Sequence, residues 1–215
     1  MTVLAPASPA RLFATLNGRP AHALGDHCAL HGPQLHRVGL LDELEAAGLA
    51  GRGGAAFPTA TKARFVASSR SRHRIVVANA MEGEPAAIKD ETLLANAPHL
   101  VLDGAQAMAR AIHADRVVVA VARDNVTTWE AVLRAVEERR PHDPIEIEVA
   151  TPPGRYVSGE ESALIHWLDG GESTPTFRKG KPSLLQIGRS PVLADNVETL
   201  AHVAMIDRHD DSEIA

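Results

Sequence analysis

Two short apolar runs limit what this chain can become. Arg74-Ile75-Val76-Val77-Ala78-Asn79 and Arg116-Val117-Val118-Val119-Ala120-Val121-Ala122 are rich in β-branched residues and show no polar alternation, the pattern of strands buried on both faces of a parallel sheet. A helical stretch over about 98–112 separates them, a second follows over 126–139, and the alternating Ile145-Glu146-Ile147-Glu148-Val149 then suits an edge strand. The order β-α-β-α-β predicts an α/β fold, a Rossmann-like parallel sheet flanked by helices. Such sheets hold ligands beyond the carboxyl ends of their strands, which singles out Asn79-Ala80-Met81-Glu82-Gly83-Glu84-Pro85.

The densest local chemistry lies upstream, in GLAGRGGAAFPTATK over 48–62. Gly48, Gly51, Gly53 and Gly54 free the backbone to turn successive N–H groups toward one point, an anion cradle. Arg52 lies inside the loop, and Lys62 follows Pro58, which is suited to the first position of a helix whose amino end faces the same anion. The segment Gly51 to Ala56 formally matches a dinucleotide fingerprint, but a helical pattern over 38–47 precedes it where that fingerprint needs a strand. From the loop alone, phosphate binding and a plain glycine turn between two helices stand level.

Composition excludes several classes. The formal charge of −5 offers no basic field for nucleic acid, and no run of 18 apolar residues could span a bilayer. No basic segment opens the chain as in a signal peptide, so the cytoplasm is the expected compartment. Cys28 is the sole cysteine, too few for a disulfide, a zinc site or a four-cysteine cluster, and no metal ligand set is expected; with His31 it reads as part of a surface loop.

Residues 1–35, rich in Pro, Gly and His, read as an irregular arm with at most one short strand, 36–206 as the α/β domain and 207–215 as a polar tail. A helix is expected over 61–68. Ser158 and Glu161 have capping-box spacing before a helix ending near Leu168, and Asp195 and Glu198 have it before a helix reaching Met205. Residues 170–190 read as an ordered loop.

Together GLAGRGGAAFPTATK, NAMEGEPAAIKDE, GRYVSGEESALI and DNVETLA resemble, in order and spacing, the FMN- and NADH-binding subunit of respiratory NADH:quinone oxidoreductase and its relatives in NAD-linked hydrogenases and formate dehydrogenases. The resemblance spans about 36–206. It implies FMN at the carboxyl edge of the sheet, NADH stacked on the flavin, and an iron-sulfur or ferredoxin-like acceptor protein, with no cluster in this chain. Carried over by position, Gly51, Arg52, Gly53, Gly54, Lys62, Asn79, Glu82, Gly159, Glu160, Asn196 and Thr199 would surround FMN, Glu82 and Glu160 being the catalytic carboxylates. Phe57, Phe65, Glu84, Glu161 and Lys181 would meet NADH. This sequence carries Ala56, Ala63, Met81, Leu184 and Asp195 where the family carries glycine, tryptophan, aspartate, an aromatic and asparagine. Three readings follow: an FMN-dependent NADH dehydrogenase domain or subunit, an FMN electron-transfer protein without NADH use, and a non-catalytic scaffold of the same fold.

Overall fold

A computed structural model describes residues 12, 21–34, 38–53, 56–82, 87–176 and 184–208. Helices α1 (Leu24–His31), α2 (Leu40–Ala46) and α3 (Thr59–Ala67) precede the first strand, β1 (Ile75–Ala80). Then come α4 (Lys89–Asn96), α5 (Pro98–Ala111), β2 (Arg116–Val121), α6 (Val126–Arg139) and β3 (Ile147–Ala150). A 3-10 turn (Tyr156–Gly159), α7 (Glu161–Leu168), β4 (Gln186–Ile187), β5 (Ser190–Asn196) and α8 (Val197–Arg208) complete the described chain.

The strands lie in the order β3-β2-β1-β5-β4. β1 pairs in parallel with β2, with Val77 opposite Val118, and with β5, with Val77 opposite Ala194; β4 closes the edge antiparallel. Strand pleating sends Val76, Ala78, Val117, Val119 and Leu193 into one core under α5, α6 and α8, and Val77, Val118 and Ala194 into a smaller one under Leu164 and Ile165 of α7. Winding runs outward from β1 to β2 and β3, then returns to β5 on the other side of β1. The point where the winding reverses therefore lies between β1 and β5, the place beyond the strand ends where sheets of this kind form a crevice.

Residues on either side of α5 explain how closely the helices lie. A Cβ at Gly104 would stand 1.8 Å from the Leu200 carbonyl oxygen, so α5 and α8 touch backbone to backbone. Next to Gly104, the carboxylate of Asp103, 2% exposed, collects Arg139 Nη1 at 2.7 Å, His27 Nε2 at 2.6 Å and Arg208 Nη2. Arg208 also donates to the His31 and Gly32 carbonyls, and Arg139 holds Asp143 with two hydrogen bonds of 2.9 and 2.8 Å. One buried carboxylate thus joins α1, α5, α6 and α8.

Several sequence expectations are corrected. α1 occupies the stretch read as irregular, and Cys28 is exposed on that helix rather than in a loop. Pro58 is the N-cap of α3 and Thr59 its first residue. Helix α4 was not expected; it is separated from α5 at Ala97, whose backbone the following Pro98 restricts. Strand β5 was hidden by the capping reading of Asp195 and Glu198: Asp195 lies inside the strand, and the Asn196 side chain accepts from Glu198 N at 3.0 Å. At α7 the cap is Glu160, which accepts from Ala163 N at 3.0 Å, while Ser158 lies in the 3-10 turn. α8 runs on to Arg208, through the start of the segment read as a tail.

Candidate functional site

The last pair in the ladder between the two strands is Asn79 of β1 opposite Asn196 of β5. The glycine loop between α2 and α3 reaches them from above. Its base is closed by Gly51 N donating to the Phe57 carbonyl at 2.9 Å and Thr59 N to the Leu49 carbonyl at 3.0 Å. Its tip is pinned by Arg52 N donating to Thr199 Oγ1 at 2.9 Å, and Gly53 lies where a Cβ would be 3.6 Å from that of Asn196. Ala56 adopts a φ of 47°, a left-handed conformation that costs a non-glycine residue roughly 1–2 kcal/mol. That conformation is one a glycine, the residue expected here from the resemblance, would take without this cost.

Lys62 projects from the first turns of α3. Its Nζ donates to Glu161 Oε2 at 2.8 Å and to the Ala194 carbonyl, and lies 3.7 Å from Asp195 Oδ1. Burial disfavours the ammonium, but the charges of Asp195 and then Glu161 outweigh that and hold its pKa above the ordinary value. Asp195 is 5% exposed; burial lifts its carboxyl to about 6 although Lys62 pulls the other way.

Behind the strand ends the polar side chains are tied together. Asn79 donates to the Gly159 carbonyl at 2.9 Å and accepts from Met81 N at 3.0 Å. Glu82 accepts from Asp90 N at 3.0 Å, at the amino end of α4. Asn196 donates to Asp90 Oδ2 at 2.6 Å and accepts from Lys89 Nζ at 3.2 Å; Lys89 also meets Asp90 Oδ1 at 2.5 Å and Glu198 at 3.4 Å. Burial raises the pKa of Asp90 despite the Lys89 hydrogen bond. Lys89 and Asp90 were not singled out in the sequence; their signal was the acidic-basic pair opening α4, legible only once that helix is known.

Opposite, Gly159 lies so near Met81 that a Cβ would stand 2.5 Å from the Met81 carbonyl oxygen. The structure therefore brings together Gly51, Arg52, Gly53, Lys62, Asn79, Glu82, Gly159, Glu160, Glu161, Asn196 and Thr199 around the crevice. Phe57, at the end of the glycine loop, and Phe65, on α3, are 52% and 46% exposed. Gly54, Glu84 and Lys181 lie outside the described residues.

Residues 44–205 match the Nuo51 FMN-binding domain family. The chain belongs to it. One of the F-type subunits of NADH-quinone oxidoreductase in Rhizobium meliloti is 30% identical over 178 residues, covering 78% of this chain and 42% of its own length. The corresponding NADH-quinone oxidoreductase protein of Salmonella typhimurium is 31% identical over 179 residues, 78% of this chain and 40% of its own. A solved NAD+-reducing [NiFe]-hydrogenase in the H2-reduced state superposes with a TM-score of 0.75 at 35% identity, covering 91% of this chain and 34% of that one. The chain thus spans about two fifths of the curated relatives it matches.

The residues present suit the flavin mononucleotide of the family's name. Arg52 Nε is buried without a hydrogen-bond partner among the described residues, a donor beside the glycine loop with no internal use. Gly159 packs directly on the Met81 backbone, and Lys62 supplies a positive charge at the same crevice.

Proposed function

We propose that this domain binds FMN at the crevice between β1 and β5 and serves as the NADH-oxidising part of an electron-transfer assembly. The buried, unpartnered Nε of Arg52, pinned at the switch point through Arg52 N and Thr199, carries the reading. FMN, when bound, supplies the chemistry of accepting a hydride from NADH and passing electrons on singly.

The protein's part is to bind and orient. The loop of Gly51 to Gly53, with Gly54, and the Arg52 and Lys62 side chains hold the phosphate. Asn79 and Asn196, held by their own hydrogen bonds, keep the two strand ends in register and shape the floor. Glu82 fixes the start of α4, and Glu160, by capping α7, aims Gly159 into the crevice. Glu82 and Glu160 are the carboxylates we place nearest the reacting ring.

Nicotinamide binding is supported by the aromatic residues. The chain has four phenylalanines, and it leaves Phe57 and Phe65 about half exposed, so that a base can stack on them. We place Glu161 with these residues too, and expect Glu84 and Lys181, which lie outside the described residues, to meet NADH. Electrons pass to an iron-sulfur or ferredoxin-like protein.

The test is flavin content. The purified chain, mixed with FMN, is expected to bind one equivalent, release FMN and not FAD on denaturation, and bleach with NADH under anaerobic conditions. Lys62→Ala should weaken FMN by about 1.5–3 kcal/mol, as loss of a charge-assisted contact does. Absence of FMN binding refutes the proposal, and binding without bleaching leaves an electron-transfer flavoprotein that does not use NADH.

A further inference from the structure

Asp195, like Asp90, is a carboxylate at the crevice that burial keeps from turning to solvent. It is carried by β5, flanked by Ala78 of β1, and its side chain is 4% exposed. Oδ1 faces Lys62 at 3.7 Å, whereas Oδ2 is buried with no hydrogen-bond partner among the described residues. Charged groups reach this point from two directions: Lys62 from α3 and Glu161 from α7. Glu198, three residues along the chain on α8, is engaged by Lys89 at 3.4 Å.

One ammonium therefore answers two carboxylates before any ligand arrives. An oxyanion seated on Lys62 adds a third negative charge to the group. Glu161, 37% exposed at its side chain, is free to turn to solvent. Asp195 has no such exit, and its charge stays in a poorly screened interior where repulsion acts at nearly full strength.

We propose that the anion seat at Lys62 is proton-linked, each oxyanion bound there being balanced by one proton taken from solvent onto Asp195. This rests on the reading of Lys62 as the phosphate-binding cation. The neutral carboxyl keeps Oδ1 toward Lys62 and removes one of the two negative charges that the ammonium answers. No redox change accompanies the step: water or buffer loses the proton and the carboxylate gains it. Burial, which lifts this carboxyl to about 6 against the pull of Lys62, already brings the proton within reach near neutral pH, and a third negative charge raises its affinity further.

Sulfate is the cleaner probe, because it stays a dianion from pH 5 to 8 whereas the second phosphate ionisation falls near pH 6. Its affinity is read from the rise in Tm with concentration. For the wild-type chain the affinity should fall about ten-fold from pH 7 to pH 8, the change for one proton per anion; for Asp195→Asn it should be flat. Equal slopes in the two proteins, a flat wild type, or no sulfate binding each overturn the proposal. A second measurement needs no variant: adding sulfate to unbuffered wild-type protein at pH 7.5 should consume close to one proton per anion bound, and no uptake overturns it. FMN is titrated in parallel. Proton-linked sulfate binding without FMN binding refutes the cofactor reading and supports the linkage, whereas FMN binding without sulfate linkage does the reverse.

Discussion

Exchanging His99 for glutamine should reverse the pH dependence of stability below neutrality. The His99 ring is fully buried, with Nε2 3.1 Å from the His22 carbonyl and 3.4 Å from Glu138. Burial, then the neighbouring His27 and Arg139 charges, lower its pKa to about 4, against about 6.5 in an unfolded chain. The unfolded state therefore binds the proton more tightly between those values, and stability that is full above pH 6.5 is lost as pH falls toward 4. At about 1.4 kcal/mol per unit, descent from pH 6.5 to 4.5 costs about 3 kcal/mol. Asp195 acts in the opposite sense: its folded value, about 6, lies above the ordinary carboxylate, so the folded state binds the proton more tightly and gains about 2 kcal/mol between pH 6 and 4.5. The wild type should show a loss of only about 1 kcal/mol. His99→Gln, which keeps a donor for the His22 carbonyl, should gain about 2 kcal/mol over the same descent, and Asp195→Asn should lose about 3 kcal/mol. Urea unfolding followed by tryptophan fluorescence at pH 7.5, 6.5, 5.5 and 4.5 reads these slopes. The same slope for His99→Gln and wild type would refute the reasoning.

Gly104→Ala should lower stability by about 2 kcal/mol, or about 4–8 °C in Tm, because the clash with Leu200 exceeds the helical preference for alanine; an unchanged Tm would contradict the backbone contact. Arg139→Met should cost about 3–5 kcal/mol by urea unfolding, since Asp103 and Asp143 each lose a buried partner, and a neutral result would show that the hub is redundant. Ala56→Gly should stabilise the chain by about 0.5–1 kcal/mol, relief of the left-handed φ outweighing the added freedom of the unfolded chain; a destabilised variant would rule that conformation out.

The strands β1, β2 and β3 and the helices α5 and α6 were legible because each has one dominant period and a length typical of its class. β5 was not. Pro191 interrupts its start, its only bulky apolar pair is Val192-Leu193, and Asp195 and Glu198 imitate a helix start more strongly than Ser190–Asn196 imitates a strand. Parallel pairing to β1 decided the matter, and that is long-range information. The loss was consequential, since β5 creates the switch point where the site lies. Within the site, the glycine loop and Lys62 were visible from glycine spacing and charge. The pairing of Lys62 with Asp195 was not, because it joins residues 133 positions apart. The Asp103 hub left no local trace: an aspartate amid the apolar residues of α5 reads as a blemish until α1 and α8 close over it.

The hub also orders events during synthesis. His27 and Arg208 both meet Asp103, yet they lie 181 residues apart, so the last of these contacts waits until the end of α8 has left the ribosome. Until then α1 has His27 on Asp103 but lacks the Arg208 hydrogen bonds to its final turn. Closing so long a loop has an entropic cost that local contacts do not repay. Helix α1 is therefore made before the sheet strands and secured after them, and a ribosome stalled between β5 and Arg208 would display a chain whose sheet can pair while α1 remains open to proteolysis.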